Sequence, residues 1–545
     1  MQSQRFNQEL LFLSIKNLLL RSYVVCKRRW CRFIKKILNT KGIKKYGLVM
    51  LLGIWNCLAT TPFSFIVVLP LTFGSLFYII DKSKNEKIRT QFAILFFFLL
   101  GHFISIFWWM FVPLTIDLTH FFWLIPFAIV GIPFAIVMHF VPFLFVSLLI
   151  WNKFYKNKNY DMLYFALFFL GSWFFAEYIR GHFTFGGFPW MMFGHFVIYA
   201  FAIQPVRFLG IDLFSICFLA LVLVPYFWIF KKSIFSRQVC LGIITAWLLN
   251  CLFGLTAISI LKPKPVELNI AGSQINANAL LGFGGLDYDL PILKKRLKQI
   301  SWLSKSRRPT LLLLPEGSTS FPIISQDNIA SGMGSIVPND NSLLLFGGLY
   351  RDGLQSYNVI YSLTRYGDIV SMYKKQRLVP FGEYIPFRQY FPFLIYSITG
   401  GMIDFGRGND TNNNLYVMYR EMPIIYPVIC YESIFPELVN SSIYKSRKAI
   451  NSIPTEYKKQ HHIKEISERG ELIVNLTNDA WMKWSIEGYQ HFLMTRFLAV
   501  STNLPVVRLS NNGISAYIDN FGVVHEQTKL NTEDILFINN LKHIK

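Results

Sequence analysis

The sequence predicts a multi-pass α-helical membrane domain followed by a layered α/β domain. Of the 545 residues, 53% are hydrophobic and only 16% are charged, whereas roughly a quarter are charged in soluble globular proteins. Before residue 263, long apolar runs alternate with short polar loops; after it, strand-length runs alternate with Gly, Asn, Asp and Ser clusters. The composition therefore argues against an ordinary soluble enzyme, and we divide the chain into segments 1–46, 47–262 and 263–545.

Seven apolar stretches in the first half are candidates for membrane-spanning helices. A bilayer core of about 30 Å requires roughly 20 apolar residues per helix. Buried helices of soluble proteins rarely reach this length repeatedly, so we predict about seven spans, of which the first is short. They lie near residues 47–60, 62–80, 91–113, 121–150, 161–179, 209–230 and 238–260.

The basic excess, 54 Lys+Arg against 31 Asp+Glu, suits either nucleic acid or an anionic membrane. A mean hydropathy of +0.38 favours the membrane, and we expect no nucleic-acid partner. About 22 Lys and Arg residues lie in segment 1–46 and in alternate loops, whereas the other loops hold only Arg180 and Arg207. Positive charge marks the cytoplasmic side. With an odd number of spans, segment 263–545 is then extracytoplasmic.

Segment 1–46 is basic, and its apolar patches are broken by Lys16 and Arg21. It is too interrupted for a signal peptide. Two interpretations stay open: a cytoplasmic interfacial segment attracted to anionic lipid, or a disordered basic tail.

The second half alternates short apolar runs with turn residues, as expected of a layered α/β domain. Helical patterns cover residues 290–305 and 487–501, and residues 366–368 and 520–522 are typical of hairpin turns. A polar stretch near residues 440–470 lacks apolar periodicity and is predicted to be a surface insertion. The predicted strands are Leu311–Leu314, Leu343–Phe346, Val359–Leu363, Ile369–Tyr373, Ile424–Cys430, Leu472–Leu476, Val506–Leu509 and Ile514–Asp519.

Three polar residues directly follow strong strand patterns: Glu316, Lys375 and Cys430. Ligand and catalytic groups in α/β folds gather at strand ends, and a nucleophile, a carboxylate base and a cation are what acyl transfer needs. Separately, each has an ordinary explanation: a small core cysteine, a solvated carboxylate, and one member of the basic patch 374–377. The occurrence of all three at strand ends favours a catalytic site for acyl transfer.

The seven cysteines also restrict the chemistry. Six lie in the first half, and Cys430 is alone in the second. With no CxxC pair and no metal-ligand spacing, the sequence argues against a disulfide framework and a zinc module. We predict no metal and no cofactor.

Several longer motifs resemble, in order, those of the apolipoprotein N-acyltransferase family, whose members are membrane-anchored relatives of nitrilases. The resemblance extends from about residue 47 to 525. Its motifs are EYIRGHFTFGGFPW from Glu177, EGSTSFP from Glu316, YKKQRLVPFGEYIPF from Tyr373, CYESIFPE from Cys430, NLTNDAW from Asn475, QHFLMTRFLAV from Gln490 and RLSNNGISAYID from Arg508.

The resemblance implies a nitrilase-like αββα sandwich for the second domain. It also implies a Glu-Lys-Cys triad of Glu316, Lys375 and Cys430. Glu383 matches a further carboxylate that matters for function in the family, and Tyr431 and Glu432 match the pair beside the nucleophile.

The family transfers a fatty acyl group from a phospholipid, through a cysteine thioester, to the α-amino group of the N-terminal S-diacylglyceryl cysteine of apolipoproteins. The implied partners are a phospholipid donor, a diacylated apolipoprotein acceptor and membrane lipids. The implied location is the bacterial cytoplasmic (inner) membrane, with the catalytic domain on its outer side.

Two alternative functions are an amidase and a transporter. A membrane-tethered amidase would employ the same three residues with water as the acceptor and would not need lipid substrates. A non-enzymatic transporter is less well supported, because the spans hold almost no paired charges.

Some segments depart from the family pattern or stay ambiguous. Trp481–Trp484 adds bulk and charge where the family has a small residue, and the ending DILFINNLKHIK is too polar for the closing helix that is common in the family.

Residues 390–406 form either a lid with glycine hinges or a packed loop. Glu177 and Arg180 either anchor headgroups or the second domain, or form a snorkelled pair, which we favour for Arg180.

Overall fold

The computed structural model describes residues 29–231, 233–261, 264–265, 268–277, 286–325, 327–390, 404–409, 414–420, 422–454, 456, 469–539 and 541–543. Residues 1–28 of the basic segment and 391–403 of the possible lid lie outside them. The described residues form a helical membrane half and a two-sheet second half.

Five helical stretches are long and apolar enough to cross a bilayer: Ile88–Thr115, Phe127–Tyr155, Asp161–His182, Val206–Phe230 and Ile234–Ile260. The first two predicted spans form shorter helices. The first has 12 residues and continues into a 3₁₀ helix, and the second has 15 residues. By length, the described residues thus supply five of the seven expected spans. The main helices are α1 (Ile43–Ile54), α2 (Val68–Lys82), α3 (Ile88–Phe107), α4 (Ile132–Ile150), α5 (Asp161–His182), α6 (Val206–Phe230) and α7 (Ile234–Ile260).

Helices α1 and α3 cross at glycines. A Cβ on Gly53 would lie 2.1 Å from the Phe98 carbonyl oxygen, and one on Gly101 would lie 2.1 Å from that of Met50. Small residues that let two backbones touch are characteristic of helix packing in membranes. The short helix α1 is therefore an integral part of the bundle.

The second half contains one six-stranded and one five-stranded sheet, with the order β11-β1-β2-β3-β4-β5 in the first and β10-β9-β8-β7-β6 in the second. Strands β1, β2 and β3 are parallel, as are β6, β7 and β8. The strands are β1 (Asn269–Gln274), β2 (Thr310–Thr319), β3 (Leu343–Asp352), β4 (Gln355–Leu363), β5 (Ile369–Lys374), β6 (Ile424–Ile429), β7 (Glu471–Thr477), β8 (Val506–Ser510), β9 (Ala516–Ile518), β10 (Val524–Gln527) and β11 (Asp534–Ile538).

Helices cover the outer faces of both sheets, so the predicted αββα sandwich is confirmed. Alternate residues of the central strands, such as Leu311 and Leu472, meet between the sheets. The outer face of the first sheet packs on α8 (Leu286–Ile300) and α9 (Asn328–Gly334), and that of the second on α10 (Pro436–Asn451) and α11 (Glu487–Thr502). Both predicted hairpin turns join antiparallel strands.

Helix α10 occupies part of the predicted insertion, so the expectation that this stretch lacks apolar periodicity is wrong for residues 440–451. Val439, Ile443 and Ile450 are buried on one face of the helix, together with Ser442 and Ser446. Small serines at helical spacing weakened the apolar pattern without removing the buried face. The insertion itself stays a prediction for residues 457–468, which lie outside the described part of the chain.

The C-terminal segment also has a structure that its composition did not predict. Strand β11 pairs antiparallel with β1, with Ile538 opposite Ile270. The residues that are too polar for a membrane helix therefore form the edge strand of the first sheet.

The two halves meet through α11. One face of this helix packs on the second sheet through Leu498 and Ala499, and the other joins the membrane core through Leu493, Met494 and Phe497. The turns that follow β6 and β7 also contact the membrane half, through Tyr431 and Met482.

Candidate active site

Glu316 lies where β2 ends against the second sheet. Its Oε1 accepts a hydrogen bond from Asn358 Nδ2 at 2.8 Å, and its Oε2 accepts one from the Asn478 backbone N–H at 2.8 Å. Only 12% of its side chain is exposed. The interpretation of Glu316 as a solvated carboxylate is therefore wrong.

Lys375 follows β5 and turns into the same place. Its Nζ lies 2.7 Å from Glu383 Oε1 and 3.4 Å from Glu316 Oε1, and its side chain is 1% exposed. Neighbouring Lys374 points elsewhere and lies over the rings of Tyr350 and Tyr357. Alternation along a strand thus separates the two lysines, and Lys375 is not part of a solvated basic patch.

Cys430 begins the short 3₁₀ turn that follows β6. Its φ of 48° is in the left-handed region, which costs a non-glycine residue about 1–3 kcal/mol and is most often found at functional sites. The thiol interacts electrostatically with the Glu316 carboxylate and the Lys375 ammonium group, and its Sγ lies within 4.8 Å of ligand atoms of Asp479 and His491. The structure therefore brings Glu316, Lys375, Glu383 and Cys430 together.

Glu432 and Tyr431 fix the turn that carries Cys430. Glu432 is buried and accepts four hydrogen bonds, from Tyr373 Oη, from the backbone N–H groups of Gln376 and Arg377, and from that of Ile429. It thereby ties the Cys430 turn to the loop after Lys375. Tyr431 Oη donates to the Gly187 carbonyl oxygen at 3.0 Å and so links this turn to the membrane half.

Burial dominates the protonation equilibria of the cluster. Burial and then the Glu316 carboxylate raise the pKa of Cys430 well above its ordinary value, although Lys375 opposes them. Burial also raises the pKa of Glu316, with Lys375 opposing, and raises that of Glu432 to about 7. Burial would lower the pKa of Lys375, but Glu383 and Glu316 outweigh it and raise that pKa. The resting site therefore holds a thiol and an ammonium group.

A second buried network supports the other side of Cys430. Arg508 Nη2 lies 2.7 Å from Asp479 Oδ2, and Asp479 Oδ1 lies 2.9 Å from His491 Nδ1. His491 Nε2 reaches Ser433 Oγ at 3.0 Å and the Cys430 carbonyl oxygen at 3.2 Å. The network holds the turn that carries Cys430 through Ser433 and the Cys430 carbonyl oxygen.

The donor atoms of Cys430, Asp479 and His491 lie within 4.8 Å of one another, which would permit a metal ion by distance. However, the Arg508 guanidinium lies against Asp479 and 3.1 Å from His491 Nδ1, and a fixed cation between the ligands repels a metal cation. This cluster is an ion-pair network rather than a metal site.

Comparisons with known proteins agree with the order of these elements. Residues 52–224 match the family model of the apolipoprotein N-acyltransferase N-terminal domain, and residues 326–539 match that of carbon-nitrogen hydrolases. The chain is similar to apolipoprotein N-acyltransferases from Rickettsia prowazekii (29% identical, covering 91% of each chain) and Allorhizobium ampelinum (26% identical, covering 92% of this chain and 91% of the relative). The chain thus combines an apolipoprotein N-acyltransferase N-terminal domain with a carbon-nitrogen hydrolase domain, and it is similar to apolipoprotein N-acyltransferases over about nine tenths of its length.

Among solved structures, the yeast nitrilase-superfamily protein Nit3 from Saccharomyces cerevisiae matches 50% of this chain and 90% of its own, with 13% identity and a TM-score of 0.34.

Two segments of the protein differ from expectation. Arg180 is 1% exposed, and its Nη1 donates to the carbonyl oxygens of Phe188 and Trp190 at 2.8 Å each. The snorkelling interpretation is therefore wrong, since the guanidinium holds the loop that faces the second domain. Trp484, which was expected to add bulk near the pocket, is 82% exposed, whereas Met482 packs on the membrane core.

Sequence reasoning did not single out Asn358, Asp479, His491 or Arg508. Asn358 Nδ2 bridges Glu316 and Glu383, and the other three form the network under Cys430. One signal was present in the sequence, because Arg508 stands within the apolar run VVRLS and a charge inside a buried strand requires a partner.

Proposed function

We propose that this chain transfers a fatty acyl group from a phospholipid to the α-amino group of the N-terminal S-diacylglyceryl cysteine of an apolipoprotein. It is an N-acyltransferase of the carbon-nitrogen hydrolase type, and its role is lipoprotein N-acylation. The observation that supports the proposed mechanism is the gathering of three groups in one buried cluster: Lys375 Nζ lies 3.4 Å from Glu316 Oε1, and both charges act on the Cys430 thiol.

In the first half-reaction, the Cys430 thiol gives its proton to Glu316 as sulfur attacks the ester carbonyl of the phospholipid. Lys375 and the backbone N–H of Tyr431 are the candidate donors to the developing oxyanion. The carbon–oxygen ester bond then breaks. The lysophospholipid alkoxide leaves with the proton from Glu316, and a thioester remains on Cys430.

In the second half-reaction, the acceptor amine attacks the thioester. Glu316 takes the amine proton and returns it to the Cys430 sulfur as the amide forms. Because one carboxylate serves both half-reactions at one site, ping-pong kinetics are expected. The raised pKa of Cys430 makes a free thiolate unfavourable, so proton transfer accompanies attack.

The contacts of the site with the membrane half favour lipid substrates over water-soluble ones. The residue after Cys430 bonds to Gly187, and Arg377 and Tyr384 bond to the carbonyl oxygens of Gly186 and Phe185. A short path from bilayer to thiol lets an acyl chain arrive without crossing water. The amidase alternative employs the same triad but does not explain these contacts.

We infer that the protein resides in the bacterial cytoplasmic (inner) membrane with the catalytic domain on its outer side. The charge bias of the loops supports this orientation. The five long spans, with or without α1 and α2, give the odd number that it requires.

Acyl transfer by the purified full-length protein tests the proposal. With phosphatidylethanolamine and a diacylated lipopeptide, mass spectrometry should detect a third acyl chain on the peptide amine and a thioester on Cys430. Cys430→Ser should abolish both products, whereas Cys217→Ser, which alters an exposed cysteine of the membrane half, should leave them unchanged. Transfer by Cys430→Ser would exclude the proposed nucleophile, and release of free fatty acid without N-acylation would favour the amidase.

A further inference from the structure

A cavity of about 260 Å³ lies at the boundary between the membrane half and the catalytic domain, and it shares no lining residue with the catalytic cluster. Its walls come from the start of α6, the end of α7 and the hairpin between β9 and β10. The lining includes Arg207, Phe208, Phe253, Ile260, Leu261 and Phe521.

The cavity is open towards the surface that faces lipid. Phe208 and Ile260 are 75% and 74% exposed, and Phe253 is 52% exposed. Helix α7 has 27 residues, and roughly 20 suffice to cross the bilayer core. Because α7 leads directly into the catalytic domain, we place its last turns at the headgroup level, where Phe253 and Ile260 are exposed along the helix.

A fixed cation marks the polar end of the cavity. Arg207 Nη2 donates to the Asn520 carbonyl oxygen at 2.9 Å, and the guanidinium lies 5.1 Å from the centre of the Phe521 ring. Its Nε is buried and has no hydrogen-bond partner in the part of the chain that the structure describes.

Within the described residues, no carboxylate lies at ion-pair distance from Arg207, and the Asp519 carboxylate stabilises its charge only from farther away. The carboxylate of Asp519 accepts from the backbone N–H groups of Phe521 and Val523 and contacts His525. An arginine held by the protein at a membrane boundary is suited to a phosphate group.

We propose that this cavity binds a glycerophospholipid other than the acyl donor. Its phosphate contacts Arg207, and one acyl chain lies along Phe208, Phe253 and Ile260. Because Asn520 and Phe521 belong to the catalytic domain and α6 and α7 to the membrane half, the bound lipid fastens one to the other. The site does not depend on the proposed acyl transfer.

Lipid retention by the full-length protein tests this site. All forms carry Cys430→Ser, so that a lipid cannot be consumed at the thiol. Native mass spectrometry in detergent counts the retained molecules of dioleoylphosphatidylglycerol, and the probes for comparison are dioleoylglycerol, which has no phosphate, and inorganic phosphate. Arg207→Gln is the test variant, and Arg237→Gln, an exposed arginine at the opposite end of α7, is its matched control.

The expected result is one retained phosphatidylglycerol fewer in Arg207→Gln, with roughly tenfold weaker binding at that site, or about 1.4 kcal/mol, because the charge-assisted hydrogen bond to the phosphate is lost. Arg237→Gln should match the parent. Ile260→Gln, at an exposed position, should weaken retention through the apolar wall and substitutes for Arg207→Gln if that variant does not fold. Equal retention by Arg207→Gln and the parent, equal retention of dioleoylglycerol, or equal binding of inorganic phosphate alone would each overturn the proposal.

Discussion

Lys375 is shared unequally between two carboxylates, and this inequality adds to the effect of burial on the pKa of Glu316. The ammonium group is 2.7 Å from Glu383 and 3.4 Å from Glu316. The closer carboxylate neutralises most of the positive charge. Glu316 consequently keeps a pKa above its ordinary value, to which burial contributes first and the Glu383 charge also contributes. A raised carboxylate pKa is what a base for a thiol requires.

Replacing Glu383 with glutamine should therefore weaken the base. Loss of the Glu383 charge lowers the pKa of Glu316, because Lys375 then attends Glu316 alone. The proposed mechanism needs ionised Glu316, so activity should persist to lower pH in this variant, while the maximal rate falls roughly tenfold to a hundredfold. The measurement is the pH profile of thioester formation by Glu383→Gln.

The control for this prediction is Glu526→Gln, which changes an exposed carboxylate of β10 and should leave the profile unchanged. An acidic limb that stays in place or moves to higher pH in Glu383→Gln would contradict the electrostatic explanation.

At the scale of elements, strand ends were predictable and cross-element contacts were not. Glu316, Lys375 and Cys430 could be selected because each follows a recognisable strand. Asn358 could not be selected, because nothing in the sequence of β4 shows that Lys375, just after β5, lies opposite it. His491 lies on α11, whose two buried faces concealed which side the histidine takes. Periodicity reports burial within one element, whereas the site depends on how elements meet.

Arg508 joins β8 to β7, α11 and the NDAW turn, so its replacement tests that junction. Its guanidinium reaches Asn475, Thr495 and Asp479 at once. Arg508→Lys cannot make these bonds together and leaves Asp479 poorly compensated. The unfolding free energy should fall by about 3–5 kcal/mol, as when a buried ion pair is broken.

Denaturation of the detergent-solubilised protein, followed by tryptophan fluorescence, measures this loss. Arg365→Lys alters a half-exposed pair with Asp340 and should cost at most about 1 kcal/mol. Equal effects of the two substitutions would show that the buried network adds no stability.

At the scale of the whole molecule, one glutamine joins the catalytic domain to two tryptophans of the membrane half. Gln490 Oε1 accepts from the indole N–H groups of Trp109 and Trp190 at 3.1 and 2.9 Å, and its Nε2 donates to the Ile106 carbonyl oxygen. All three partners are remote in sequence, so nothing in the α11 pattern pointed to them.

Gln490→Leu should loosen this junction, because two buried indole donors lose their acceptor, at about 1–3 kcal/mol each. Hydrogen exchange should increase in residues 185–191 and in the Cys430 turn, while the cores of the two sheets stay protected. Gln527→Leu, at an exposed position of β10, is the control. Unchanged exchange in the 185–191 loop would argue against a bridging role.

The pairing of β11 with β1 has a consequence for the order of assembly. Strand β1 (Asn269–Gln274) pairs on one side with β11 (Asp534–Ile538), so that side of β1 stays unpaired until residues 534–538 have been made. Helices insert into the membrane long before that moment, and domains generally mature from the N-terminus during synthesis. The catalytic domain therefore completes its fold last, on a bundle that already exists to receive it.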